Sequence, residues 1–339
     1  MPRHRALITA NFSQSALAEL RRYLDVVYRP WGETGAVLSE DELARDLRSL
    51  QADILVVELE RVSREVIEAV DLKLIGVCRN DPKRSVDLAA ATERGVPVIY
   101  TPGRNYNAVA ELTIAVMLAL LRRVVLADRL LRGGKVSISS SEEFTRYYNL
   151  YRGYELSGKT VGIIGLGKIG FRVAQLLRGF GVRILAYDPY VSEARAASVG
   201  AELVDLETLL RESDIVTIHV PPTEETVGLI GKREIELMKP TAVLLNLANP
   251  VVVDEDALYE ALKQGRIAGA ALDVFSEEPV DSSNRFLQLD NVVVTPHIGG
   301  DTYETIERQS WMITGDILRF IRGERPRHLL NPEVWKGRG

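Results

Sequence analysis

Two successive series of short, nearly all-apolar runs, separated by segments of helical spacing, limit what this chain can fold into. The first series is "ALITA" (6–10), "DVVYRP" (25–30), "DILVVE" (53–58), "LKLIGV" (72–77) and "VPVIYT" (96–101). Between these runs lie "QSALAELRRYL", "EDELARDLRSL" and "VDLAAATERG", whose apolar residues recur at helical intervals. The second series is "TVGIIG" (160–165), "VRILAYD" (182–188), "DIVTIHV" (214–220), "AVLLNLA" (242–248), "AGAALDV" (268–274) and "NVVVTPH" (291–297). Val/Ile/Leu runs without polar alternation suit strands covered on both faces, and alternation with helices implies parallel sheets joined by right-handed crossovers. A length of 339 residues exceeds one ordinary core. The expected fold class is α/β, with two doubly wound parallel-sheet domains. A long apolar helix is expected over 107–131, and a loop containing "TRYYNLYRGYELSG" (145–158) leads into the second series.

Composition removes several functional classes. A net charge of −5 argues against a nucleic-acid surface. One cysteine, Cys78, excludes an intrachain disulfide and suits a reducing compartment, so the cytoplasm is the expected location. The start "MPRHRALITANF" has no long apolar segment, so no secretory signal is expected. The most apolar stretch carries Glu111 and Arg122–Arg123, which suits a buried or dimer-forming helix better than a membrane span. No metal site is expected.

The segment "KTVGIIGLGKIGFRVAQLLRGFG" places Gly165, Gly167 and Gly170 directly after a strand and at the start of a helix. Gly165 would permit the tight turn, Gly167 the approach of a pyrophosphate, and Gly170 close helix–strand packing. The helix N-terminus would offer N–H groups and a positive dipole end to the phosphates. The next strand ends in Asp188, whose carboxylate would accept bonds from the adenosine ribose and repel a 2′-phosphate. NAD is therefore expected over NADP. A glycine turn beside a solvated Asp is the bland alternative, and the order strand, turn, helix, strand, acid argues against it.

With this site placed, further motifs become recognisable: "ATERGVPVIYTPG" with "NAVAEL", "SDIVTIHVPPTEETVGLIG", "GAALDVFSEEP" and "NVVVTPHIGG". On these and "GLGKIG", nearly the whole chain resembles the D-isomer-specific 2-hydroxyacid dehydrogenases, the phosphoglycerate dehydrogenase-like family. The resemblance implies a discontinuous, flavodoxin-like substrate domain, 1–106 and 300–339, with a Rossmann-type NAD-binding domain, 107–299, inserted. The hinges would fall near Gly103–Asn107 and Gly299–Thr302, and the helix 107–131 would help form a homodimer. It also implies cofactor contacts at Lys168, Ile169, His219, Val220, Pro221, Thr226, Leu247, Ala248, Asp273, His297 and Gly299.

His297, in "TPHIGG", matches the family's general acid/base, a role that suits an imidazole because it titrates near neutrality. Glu278, which directly precedes Pro279, matches the carboxylate that fixes the tautomer and stabilises the imidazolium; Glu277 is the neighbour passed over. The third family member, an arginine three residues after the position of Asn246, is Asn249 here, followed by Pro250. An Asn side chain has no charge and no guanidinium fork. Losing such a partner in a desolvated site costs on the order of 2–5 kcal/mol.

A second departure lies after the fourth strand, where many family members carry a glycine-rich loop that binds the substrate carboxylate. This chain reads "VCRNDPKRSVD", with Arg79, Asn80, Lys83 and Arg84. Arg79 is the strongest candidate for a replacement cation, because some family members carry "CR" here. Arg104 and Asn105, in "TPGRNYNAVAE", are further substrate candidates. Each cation has an exposed-loop alternative. Tyrosines of "RYYNLY" (146–151) could reach a partner subunit or simply pack on the surface. Two functions follow. The first is an NAD-dependent oxidoreductase acting on a small anionic 2-hydroxy or 2-keto acid, a sugar acid or phosphonate included. The second is a catalytically impaired NAD(H)-sensing member of the same family.

Overall fold

The computed structural model describes residues 3–83, 85–136 and 139–335. They form two compact units, one running to Arg104 and resuming at Asp301, the other spanning Asn105–Gly300. The first unit is built on β1 (Arg5–Ile8), β2 (Asp25–Tyr28), β3 (Ile54–Val57), β4 (Leu74–Val77) and β5 (Val98–Tyr100). These lie in the order β2-β1-β3-β4-β5, every neighbour parallel. Side chains alternate between faces along a strand, so the apolar runs feed two cores at once. Leu7, Leu55, Val57, Ile75 and Val77 pack on one face with Leu43 and Leu47. Ala6, Ile8, Ile54, Val56 and Leu74 pack on the other with Leu17, Leu20, Ile313 and Ile317. The last two come from the helix Tyr303–Ile321, which returns the chain to this unit.

One feature of this sheet lies outside the sequence pattern. Residues 328–330 run antiparallel along the β5 edge, with Tyr100 N donating to His328 O (3.1 Å) and Leu330 N to Val98 O (2.8 Å). Buried Asn331 completes the edge, accepting from Val98 N (2.8 Å) and donating to Val96 O (2.9 Å). A mixed edge on an otherwise parallel sheet is a common way to cover unpaired backbone.

The second unit holds β6 (Thr160–Ile164), β7 (Arg183–Tyr187), β8 (Ala201–Leu203), β9 (Ile215–Ile218), β10 (Val243–Asn246), β11 (Gly269–Leu272) and β12 (Val292–Val294). The order is β12-β11-β10-β9-β6-β7-β8, again all parallel. Val161, Ile163, Leu245 and Ala271 line one core, while Ile164, Val216, Ile218, Leu244 and Leu272 line the other. The two doubly wound α/β sheets expected from the sequence are both present. The strand order reverses at β6, and in such sheets ligands bind beyond the carboxyl ends at that reversal. The short β8 was not among the expected strands, because "AEL" carries no apolar run.

Two expectations are corrected. The single helix over 107–131 is two helices, Tyr106–Leu121 and Val124–Arg132. Arg123 adopts left-handed φ of 52°, and Tyr154 N takes the Leu121 carbonyl (2.9 Å) in place of a helical partner. Gly153 makes this approach feasible, since a Cβ there would lie 2.3 Å from Leu121 O. The expected loop at 145–158 contains the end of a helix, Ser141–Leu150, started by the Ser140 side chain accepting from Glu143 N (3.2 Å). Among the described residues no helix is long and apolar enough to cross a membrane.

Candidate active site

Beyond β6 the chain turns at Gly165 and enters the helix Lys168–Leu177 within three residues. Gly165 has φ of +90°, and a Cβ there would lie 2.8 Å from His219 O, so only glycine fits. At Gly170 a Cβ would fall 2.0 Å from the Gly165 carbonyl, which forces glycine and lets the helix press against the strand end. At Gly167 nothing lies within 4 Å of a built Cβ, so the backbone is open to a ligand. The first N–H groups of a helix have no intrahelical partner and favour an anion. Lys168 and Ile169 occupy this first turn. The arrangement fits the pyrophosphate of a dinucleotide.

A cavity of about 490 Å3 opens beside this turn, lined by Gly165, Gly167, Asp188, His219, Val220, Pro221 and Thr226 among others. Asp188, at the end of β7, accepts from Leu166 N (2.8 Å) and Tyr190 N (2.9 Å), which fixes its carboxylate at the cavity wall. Thr226 steadies the opposite wall, its hydroxyl donating to Pro221 O (2.6 Å) and accepting from Thr223 N (2.8 Å). The cavity also brings in Tyr187, Tyr190, Glu224, Glu225 and Leu229, none of which sequence reasoning had selected. Tyr190 stands only two residues beyond Asp188, the one signal that pointed to it.

His219 is 8% exposed, with Nε2 3.0 Å from Thr217 Oγ1 and Nδ1 without a hydrogen-bond partner among the described residues. Burial pushes its pKa down to about 3. The folded state therefore holds a neutral imidazole where the unfolded chain binds a proton below about pH 6.5. Unfolding free energy attributable to His219 should be flat above that pH, fall as pH drops, and level off near pH 3. Between pH 7 and 4.5 the wild-type chain should lose about 2–3 kcal/mol more than His219→Gln. Urea unfolding at the two pH values measures this, and equal losses would contradict it.

The catalytic candidates converge after β11 and β12. Asp273, 1% exposed, accepts from Thr295 Oγ1 (2.6 Å), Ile298 N (2.9 Å) and Gly299 N (2.8 Å). These three bonds clamp the turn that carries His297, which has φ of 58°, a conformation sparsely used by L residues. His297 Nδ1 lies 2.8 Å from Glu278 Oε2, and Phe275 N donates to the other carboxylate oxygen (3.0 Å). An ionised carboxylate only accepts, so Nδ1 carries the proton and Nε2 is left to exchange one with a substrate. The His297 side chain is 61% exposed, so it is accessible to a small molecule. Asp273 thus acts on the histidine turn.

Asn249 is turned inward on its own loop. Its Oδ1 accepts from Val251 N (3.2 Å), capping the short 3-10 helix Pro250–Val252, with extended φ of −157° as a residue before proline prefers. Asn246 ties the same loop, donating to Asn249 O (2.9 Å) and accepting from Ala248 N (3.1 Å). Leu247 is buried in the core, and Ala248 is half-buried beside it. Asn105 precedes the helix Tyr106–Leu121 and packs against Gly300.

In the first unit the basic candidates separate. Arg104 is consumed by structure: it pairs with buried Glu58 (2.7 Å) and donates to Gln309. Asn80 accepts from Gly103 N (2.8 Å) and Arg104 N (3.2 Å), holding the segment that carries Arg104. Arg79 donates from Nε to Glu58 O (2.6 Å), the one hydrogen bond of its guanidinium among the described residues. Burial, then the neighbouring Arg104 charge, lowers its pKa. Lys83 is exposed, and Arg84 lies outside the described residues. Glu58 and Gln309, which decide between the two arginines, were invisible in the sequence because they lie far apart in it. Among the described residues no cluster could hold a metal ion.

Comparison with known proteins agrees with this geometry. The family described as "D-isomer specific 2-hydroxyacid dehydrogenase, NAD binding domain" matches residues 114–299. A D-3-phosphoglycerate dehydrogenase of Archaeoglobus fulgidus is 40% identical over 96% of this chain, which spans 59% of that relative's length. A glyoxylate reductase of Thermococcus litoralis is 41% identical over 86% of this chain and 87% of its own. Among solved structures, the TT0316 protein of Thermus thermophilus covers 96% of this chain and 99% of its own, with 34% identity and a TM-score of 0.84. The holo form of Rhodotorula graminis D-mandelate dehydrogenase covers 97% and 98%, with 26% identity and a TM-score of 0.83. With the glycine turn, the strand order and the His297–Glu278 pair in place, the chain belongs to the D-isomer specific 2-hydroxyacid dehydrogenases, a family of NAD-dependent oxidoreductases acting on CH–OH groups.

Proposed function

We propose that this protein transfers hydride between a nicotinamide and a small anionic 2-hydroxy or 2-keto acid, or a related hydroxylated oxyanion such as a sugar acid or phosphonate. The observation that carries this reading is the His297–Glu278 pair at 2.8 Å, a proton-moving arrangement on a turn clamped by Asp273. When bound, the nicotinamide supplies or accepts the hydride. In the reducing direction His297 Nε2 gives its proton to the carbonyl oxygen, and Glu278 stabilises the imidazolium before the transfer. In the oxidising direction Nε2 takes the hydroxyl proton. Gly165, Gly167 and the first turn at Lys168–Ile169 hold the pyrophosphate, and Asp188 accepts from the adenosine ribose. That carboxylate makes NAD the preferred cofactor over NADP. Arg79 supplies the cation for the substrate's oxyanion.

A second reading, NAD(H) sensing without turnover, is favoured by one observation: Asn249 caps its own turn at the position where family resemblance places an arginine. A screen of hydroxy acids, keto acids and phosphonates with NAD+ or NADH, followed at the nicotinamide absorbance, separates the two. Glyoxylate, hydroxypyruvate and sugar acids are the first substrates to test. Turnover of one of them is the expected result; none, beside tight NADH binding, would establish the sensor.

We also propose a homodimer in the cytoplasm. The helices Val124–Arg132 and Ser141–Leu150 expose Val124, Leu131, Phe144 and Tyr148, apolar surface of the kind that marks an interface. Cys78 is buried and its thiol is pushed well up by burial, which suits a structural rather than a reactive role.

A further inference from the structure

The cofactor cavity contains a contact that the glycine motif does not call for. Tyr190, 78% exposed, donates its hydroxyl to Glu225 Oε2. Tyr190 follows β7 and Glu225 follows β9, and these strands flank β6 on opposite sides. The bond therefore joins the two walls of the cavity across the end of the glycine-turn strand. Tyr190 is also tied to Asp188, since its backbone N–H donates to Asp188 Oδ1 (2.9 Å). One residue thus links the carboxylate expected at the adenosine ribose to a second carboxylate from the other wall. Glu224 lines the same cavity, and among its described lining residues there is no Lys or Arg. The nearby carboxylates of Glu225 and Asp188 also raise the Tyr190 pKa, so its hydroxyl stays protonated and keeps donating.

We propose that Glu225, held in place by the Tyr190 hydroxyl, is a second determinant of cofactor selectivity that acts with Asp188 to exclude a 2′-phosphate. This rests on the reading of the cavity as an NAD site. The physical basis is charge. A 2′-phosphate adds close to two negative charges, and each carboxylate held near it opposes it, with solvent and salt screening the exposed Glu225. Proteins that accept such a phosphate supply an arginine nearby, and this cavity supplies acids. Asp188 alone would leave its neighbourhood open to a compensating counter-ion. A tethered second carboxylate keeps the opposite wall negative as well.

The test is equilibrium binding of NADH and of NADPH to the full chain, read by nicotinamide fluorescence at low and high potassium chloride. Wild type should prefer NADH, and the preference should shrink as salt screens the charges. Glu225→Gln should narrow the NADPH-to-NADH affinity gap about three- to tenfold and weaken its salt dependence. Tyr190→Phe, which removes the tether but no charge, should narrow it less. Asp188→Asn with Glu225→Gln should narrow it more than either change alone. An unchanged ratio in Glu225→Gln, including equal weakening of both nucleotides, would overturn the assignment while leaving the cofactor reading standing. Failure of wild type to bind NADH, or a wild-type preference for NADPH, would overturn the cofactor reading and the assignment with it.

Discussion

Replacing His297 by Asn should lower turnover about 10²- to 10⁴-fold, the usual worth of a positioned general acid/base, while NADH still binds. The size follows from what the site holds besides this imidazole. Among the described residues around it, Glu278 is occupied by Nδ1 and by Phe275 N, and Asp273 by the turn itself. Neither has a proton to give to a carbonyl oxygen, so water would have to replace Nε2. Asn is chosen because Asn also tolerates the left-handed φ of 58° at this position, whereas Ala would add backbone strain to the loss of chemistry. Glu278→Gln should cost less, since an amide oxygen still accepts from Nδ1–H and loses only the charge that stabilises the imidazolium. Steady-state rates on a substrate from the screen, with NADH titrations on each variant, measure both effects. A His297→Asn protein that retained its rate would remove the proposed acid/base.

Much of this architecture was legible because it is written in local pattern. The runs at 54–57, 74–77, 161–164 and 243–246 are buried throughout, so continuous apolar sequence was a direct image of strands covered on both faces. Gly165 and Gly170 were legible for the same reason, since backbone geometry admits no other residue there. What failed was decided by partners distant in sequence. The break at Arg122–Arg123 occurs in residues that favour helix, and it is set by Tyr154 taking the Leu121 carbonyl. The helix Ser141–Leu150 had a readable start in Ser140 and Glu143 and carries Phe144 and Tyr148 one turn apart, but it buries no residue, so its aromatic residues read equally as surface of a loop. Arg104 stood as a further candidate behind Arg79, because Glu58 and Gln309, which hold it, lie far away in the sequence. The second wall of the cofactor cavity, Glu224 and Glu225, lay in a polar loop that composition alone reads as solvated surface.

Arg79→Ala should cost about 2–5 kcal/mol in kcat/KM, roughly 30- to several-thousand-fold, whereas Asn249→Ala should cost no more than about tenfold. In the proposed mechanism Arg79 meets the substrate's oxyanion and the neutral Asn249 does not, and their surroundings prepare them differently. Asn249 spends its carbonyl on Val251 N, so its loss removes a cap and leaves no buried charge unpaired. Arg79 is anchored at Nε by the Glu58 carbonyl, which among the described residues leaves the two terminal nitrogens as a fork for an oxyanion. Its half-buried position beside Arg104 disfavours the charge, and an arriving anion relieves that penalty. Glu58 cannot relieve it to the same degree, because its carboxylate is already committed to Arg104, Trp31 and Gln309. Arg79→Lys keeps the charge and loses the fork, so an intermediate rate would assign the effect to geometry as well as charge. NADH affinity and far-ultraviolet circular dichroism of each variant separate a lost substrate contact from a lost fold. Equal losses at the two positions, or a larger loss at Asn249, would return the cation's role to the loop after β10 and remove Arg79 from the mechanism.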